Sequence, residues 1–428
     1  MNESQSMFKT SLVNLSIVDF VSRASSCEEA SLWPQISNDL HEAERLFQRW
    51  ESRLLRMHPD RGLYQKRLES KGLTRESAMM RLTSRCMPEN EALPNWALFL
   101  EKVLCLDLKL HNGCEISPSS RANAESDTQV HIPVFLELAH PFLHVGLEIL
   151  ETNKLVRRWL EPSAIMNVST MLRNRISSIA ARTLAHELKL RSQSGELFGT
   201  SSEDRYVDFM QRFVANKEGL LALFGKYPVL ARLLATRTLQ TIEIIVEIAR
   251  RLDADSIELS QRFHRGIPLK QVSNLTLGLS DPHLNGRSVT ILEFADDLKI
   301  VFKPRSLAID LAYSKLLDWW NSVNPCTSLR CASVISREDY GWAEFIKSSD
   351  CSRREDFAKY YERQGAHTAL FHFLQSSDFH GENFIAAGEF PVPIVLGERR
   401  PENYLKWSVR FDEYSYSIAC DGTRTRTR

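Results

Sequence analysis

Apolar residues three and four positions apart dominate the first 255 residues, as in DLHEAERLFQRWESRLL (39–55), and this spacing predicts amphipathic helices. The same period returns in LVRRWLEPSAIMNVSTMLRNRISSIAARTLAHELKL and in EGLLALFGKYPVLARLLATRTLQTIEIIVEIARRL, where Leu230, Leu233, Leu234 and Leu239 fall at core-like intervals. Between helical blocks, SPSSRANAESDTQ (117–129) is small and polar and reads as an exposed loop. No internal repeat of solenoid length is present.

The pattern changes near residue 280. Val289–Phe294 and Lys299–Lys303 are β-branched and aromatic runs separated by Ala295-Asp296-Asp297-Leu298, which predicts a hairpin with a polar turn. Pro304 ends the second strand, and a helix is expected from about Ser306, with Ile309, Ala312, Tyr313, Leu316, Leu317 and Trp320 as its buried stripe.

Composition narrows the function classes. The chain has 428 residues, 43% hydrophobic and 25% charged, which fits a soluble globular protein of two or three domains. Its 54 Lys and Arg balance 54 Asp and Glu, so no global field attracts nucleic acid or an anionic membrane, and phosphate must be met by local groups. The eight cysteines form no C-x-x-C pair and none adjoins a histidine, so no zinc site is expected and the thiols read as reduced. The N-terminal residues lack a basic segment followed by an apolar block, and no window approaches the ~18 apolar residues of a membrane span; a cytoplasmic protein is expected.

Lys303 closes a strand just ahead of a helix, the position from which a kinase-like lysine holds nucleotide phosphates. Alone, such a lysine reads more readily as a solvated surface charge, and the motifs around it have to carry the reading. In SSDFHGENFIA, Asp378, His380 and Asn383 give D-x-H-x-x-N, with the Asn five residues after the Asp as in kinase catalytic loops. There the carboxylate orients or deprotonates an attacking hydroxyl, while the amide oxygen reaches the metal that bridges the phosphates. Helical YYERQGAHTALFHFLQ precedes this loop and apolar NFIAAG follows it. Asp281 and His283, in SDPHLNGRSV, lie just before the hairpin and within chain reach of the same phosphates; the other reading is an Asp-Pro turn with an exposed histidine.

The ordered set SDPHLNGRSVTILEFADDLKIVFKPRSL, GWAEFI, YYERQG and DFHGENFIAAGEFPV resembles the dehydratase domain of class II lanthipeptide synthetases, the LanM family. ELFGTSSEDRYVDF (196–209) and YPVLARLLATRTLQ (227–240) extend the resemblance to roughly residues 40–393. It implies an α+β protein with a largely helical N-terminal half followed by an incomplete lipid-kinase-like or protein-kinase-like dehydratase fold. The implied division is a helical part over 1–116, the 117–129 loop, the dehydratase core over 130–393 and a divergent tail over 394–428.

The resemblance also implies a lantibiotic-biosynthesis activity. ATP and Mg2+ serve to phosphorylate Ser and Thr of a ribosomally made precursor peptide, a leader followed by a Ser/Thr/Cys core, and the phosphate is then eliminated. Lys303 is then assigned to nucleotide phosphates and later steps, Asp378 to the attacking hydroxyl and Asn383 to magnesium, while His380, Asp281 and His283 shape the site. A separate cyclase or a missing C-terminal portion is implied as partner.

One departure bears on activity. PVPIVLGERR places Val395 where the family carries a magnesium-binding aspartate and Gly397 where it carries a glutamate; Glu398 would need a three-residue slip to compensate. The tail lacks the rest of the large lobe, the elimination residues and the zinc-bearing cyclase, and one reading is that a frameshift or deletion joined it to the chain. Unpartnered apolar faces and weakened phosphoryl transfer are the expected consequences. Two further readings are a non-catalytic leader-peptide-binding remnant and a stand-alone small-molecule kinase, the latter disfavoured by Val395.

Overall fold

The computed structural model describes residues 17–30, 33–35, 40–57, 61–83, 85–88, 90–106, 134–280, 286–323, 327–376 and 381–394. It is an α+β protein, helical through its N-terminal half, and it divides into two compact units, 1–157 with 166–246, and 158–165 with 247–428.

Up to residue 263 the described elements are helices α1 (Ile17–Ala24), α2 (Cys27–Ala30), α3 (Leu40–Met57), α4 (Arg61–Glu69), α5 (Arg75–Met80), α6 (Asn95–Cys105), α7 (His140–Thr152), α8 (Lys154–Trp159), α9 (Pro162–Gln193), α10 (Ser202–Phe209), α11 (Lys217–Lys226) and α12 (Pro228–Phe263). Local chemistry sets their starts. Thr74 and Ser201 close capping boxes ahead of α5 and α10, Asn216 accepts from two backbone N–H groups of α11, and prolines open α9 and α12, where no N–H is needed.

In α12 the buried face of the first unit runs through Leu230, Ala231, Leu234, Ala235, Thr238 and Ile242. Leu233 is 45% exposed and Leu239 half-buried, so two of the four leucines expected in the core lie off it. Thr238 takes a core place instead because its hydroxyl donates to the Leu234 carbonyl, 2.8 Å away, leaving a methyl to pack. Gly146 of α7 meets that face, where an added Cβ would sit 3.0 Å from Ile242 Cδ1. Among the described residues of this unit the buried charge is Glu187 of α9, 1% exposed, which accepts from Lys226 Nζ at 2.6 Å and from the Tyr227 hydroxyl, with Arg191 Nε at 3.5 Å.

The second unit is built on a five-stranded antiparallel sheet of order β1 (Val272–Thr276), β2 (Thr290–Phe294), β3 (Lys299–Lys303), β5 (Gly341–Glu344) and β4 (Val334–Ser336). The hairpin is as the alternation predicts, with Glu293 opposite Lys299 and Asp297 at φ 65° in its turn. Helices α13 (Ala308–Val323) and α14 (Arg354–Phe373) follow, and a second hairpin, β6 (Phe384–Ala387) with β7 (Phe390–Pro393), completes the unit.

Sheet alternation gives β3 two different faces. Ile300 and Phe302 are buried, and the Phe302 ring lies 5.1 Å from Trp342. On that side Asp255, from the C-terminal part of α12, accepts from Trp342 Nε1 and Tyr340 at 2.8 Å each and pairs with Arg337 at 2.7 Å. On the other, Val301 packs with Leu307, Leu311, Val334 and Ala343.

Helix α13 differs from its expected stripe. Its buried residues are Asp310, Tyr313 and Leu317, with Leu316 and Trp320 packed beside them, while Ile309 is 40% exposed and Ala312 is exposed. The helix is turned so that an acid, not Ile309, enters the interior, and its partners explain the exchange. No helix among the described residues is long and apolar enough to cross a membrane.

Candidate active site

The end of β3 is a built corner. Lys303 pairs with Gly341 of β5, and Leu307 lies so close over that glycine that an added Cβ would sit 2.5 Å from Leu307 Cγ. Glycine is therefore required for close approach, and the approach sets where the chain turns after Pro304. The Leu307 N–H donates to Ser336 Oγ at 3.0 Å, and α13 starts at the next residue.

This turn brings three charges together. Lys303, 6% exposed, has Nζ 3.9 Å from Asp310 Oδ1, and Arg305 Nη1 lies 3.1 Å from Asp310 Oδ2. Asp310 is also favoured by its place in the first turn of α13. Lys303 Nζ donates to the Ile394 carbonyl as well. Burial nevertheless pushes the Lys303 amine down to about 8: Asp310 works to raise it and the Arg305 guanidinium to lower it further. Two cations share one carboxylate, so the corner carries a net positive charge.

Asn383 reaches the same corner from the other direction. It is buried at the end of a short 3-10 turn, Gly381–Asn383, and its backbone carbonyl accepts from the Ile394 N–H at 2.9 Å. Residue 394 thus links the two motifs: its N–H bonds Asn383 and its carbonyl bonds Lys303, 91 positions away. The hairpin between them is clamped by buried Arg363 of α14, which donates to the Ser328 carbonyl at 2.9 Å and the Glu389 carbonyl at 2.8 Å and lies 4.0 Å from the Phe390 ring centroid.

A second buried pair lies against Phe384, the residue after Asn383. Tyr313 of α13 and His367 Nδ1 of α14 share a 2.7 Å hydrogen bond, and the His367 ring stacks on Phe371 and meets Phe384 edge-on at 6.1 Å. His367 Nε2 has no hydrogen-bond partner among the described residues. Burial pushes its imidazole down to about 4, so it is neutral near pH 7, and pushes the Tyr313 phenol up.

Of the residues singled out by sequence, Lys303 and the backbone of Asn383 are therefore linked through residue 394. Asp281, His283, Asp378, His380 and Val395, with Gly397, Glu398 and the tail beyond 394, lie outside the described residues. Among the described residues no group of three His, Cys, Asp or Glu side chains could hold a metal ion. The sequence reading missed Asp310, Arg305, Arg363 and His367. For Asp310 a signal exists: in KPRSLAID an acid follows two cations within one turn of the helix start.

Two comparisons with known proteins give a likeness. A family model described as Domain of unknown function (DUF4135) matches residues 227–396. A lacticin 481/lactococcin biosynthesis protein of Lactococcus lactis subsp. lactis is 22% identical over 229 residues. In sequence the chain is thus similar to LanM-type lantibiotic-biosynthesis proteins. The alignment covers 52% of this chain but only 24% of the relative, so the chain spans about a quarter of that protein's length. The matched segment of the family model includes Lys303, Arg305, Asp310, Asn383 and Ile394, which is the whole of the described corner.

Proposed function

We propose that the chain is a lanthipeptide-biosynthesis protein whose second unit binds ATP and transfers its γ-phosphoryl group to Ser and Thr hydroxyls of a precursor peptide, as the first step of dehydration. The observation that carries this reading is the joining of Lys303 and Asn383 through residue 394, with Asp310 and Arg305 beside the lysine. A five-stranded antiparallel sheet, a buried lysine closing its third strand and an acid in the next helix support a kinase-like arrangement. The relative's role in lacticin 481 biosynthesis supports the peptide as substrate.

The described residues fit a polyphosphate: the corner is cationic, buried and has a guanidinium nitrogen, Arg305 Nη2, without a partner among the described residues. ATP would supply the phosphoryl group and Mg2+ would offset phosphate charge. Lys303 would hold the phosphates, Asp310 would keep that amine oriented, and the Asn383 amide would face the metal. Asp378 would take the proton of the attacking hydroxyl as the oxygen–phosphorus bond forms and the bond to ADP breaks, with His380, Asp281 and His283 shaping the site; elimination would then remove the phosphate with the α-proton.

A second reading, leader-peptide binding without turnover, is favoured by Val395, which offers no oxygen where the family places a metal ligand. One experiment decides between them. The full chain is incubated with ATP, Mg2+ and a lanthipeptide precursor carrying a leader and a Ser/Thr/Cys core, and the peptide is weighed by mass spectrometry. Loss of one water per modified residue, or gain of phosphate, supports the transferase reading; an unmodified peptide that nonetheless binds the chain supports the second.

A further inference from the structure

We infer that Arg305 is a second phosphate-binding cation of this site, holding a polyphosphate oxygen beside Lys303 through Nη2. The inference rests on the proposed nucleotide site and names a residue for it. The guanidinium is already fixed on one side, because Nη1 donates to Asp310 Oδ2 at 3.1 Å and to the Ser306 carbonyl at 3.0 Å. Nη2 is buried and has no hydrogen-bond partner among the described residues.

A buried donor on a charged group is costly when unmatched, and here the side chain cannot turn to solvent without giving up Asp310. An arginine kept only for structure would use its second nitrogen on the same carboxylate, in the two-pronged geometry that guanidinium favours. Asp310 instead divides its oxygens, Oδ2 towards Arg305 and Oδ1 towards Lys303, which aligns the two cations around one acid. The position is also set by the backbone: Pro304 stops β3, Leu307 packs over Gly341, and residue 305 has little freedom between them. An acceptor with several anionic oxygens, a di- or triphosphate, meets both the net charge and the orphan donor.

The test uses the full chain and inorganic tripolyphosphate without metal, with affinity read by calorimetry and thermal shift. Arg305→Gln and Arg305→Lys are each expected to weaken binding roughly ten- to a hundredfold, since lysine restores charge but not the second donor. Arg305→Lys also guards against a folding defect, because it keeps an ion pair for Asp310, and its unliganded melting temperature should stay near that of the native chain. Native affinity in Arg305→Lys, together with loss of binding in Lys303→Met, overturns the role of Arg305 and leaves the nucleotide site standing. Binding that survives both substitutions, or no binding by the native chain, overturns the site itself and this inference with it.

Discussion

Each of the two units buries charge, and Glu187 of the first and Lys303 of the second are treated in opposite ways. In the first, Glu187 is enclosed by Lys226, Tyr227 and Arg191. Burial alone would raise its pKa, but hydrogen bonds from Lys226 and Tyr227 hold it below the ordinary carboxylate value. In the second, burial dominates at Lys303 and depresses its amine, because the nearby acid is shared with Arg305. A fully matched buried charge fastens helices. An under-matched one stores affinity for a ligand that the fold does not itself supply.

The comparison is most strongly tested by removing the matched charge. Glu187→Ala leaves three donors without their acceptor and should lower the stability of the first unit by about 3 kcal/mol in urea unfolding, with little effect on tripolyphosphate affinity. Almost as large is Gly341→Ala, which forces Leu307 off the strand pair. We expect a loss of about 2 kcal/mol, and weaker tripolyphosphate binding because α13 carries Asp310 with it.

His367 sharpens the contrast by pH. Its folded pKa of about 4 lies below the 6.5 of an exposed imidazole. Between those values the unfolded chain holds a proton that the folded chain does not, so stability is full above pH 6.5 and falls as pH drops towards 4. From pH 7 to pH 5 the contribution is about 2 kcal/mol, and His367→Gln should remove that slope from denaturation curves.

The smallest effect on stability belongs to Lys303→Met. Removing a desolvated cation offsets the lost bond to Ile394, so unfolding should change by less than about 1 kcal/mol while tripolyphosphate binding is lost. A large destabilisation would make Lys303 a structural residue like Glu187 and dissolve the contrast.

What could be read from the sequence follows from the range of the interactions. The hairpin before Lys303 is legible because alternation and turn chemistry are local, and the link from strand end to helix is legible for the same reason. The stripe of α13 is not: hydropathy ranks Ile309 above Asp310, yet the acid is buried because Lys303 and Arg305 meet it there. Leu233 and Thr238 trade places for a comparable reason, since a hydroxyl bonded to its own helix packs as a methyl. The bond from Lys303 to the Ile394 carbonyl joins residues 91 apart and has no signature in either segment. Asp378, His380, Asp281 and His283 were legible as motifs, and their places lie outside the described residues.

The most direct measurement is the titration of the Lys303 amine itself, followed by NMR of chain labelled at lysine Cε, with and without tripolyphosphate, and assigned through Lys303→Met. The account requires a value of about 8 in the free chain that climbs towards the ordinary 10.5 of a lysine when the anion binds. An amine that titrates at 10.5 in the free chain and ignores the anion would contradict it.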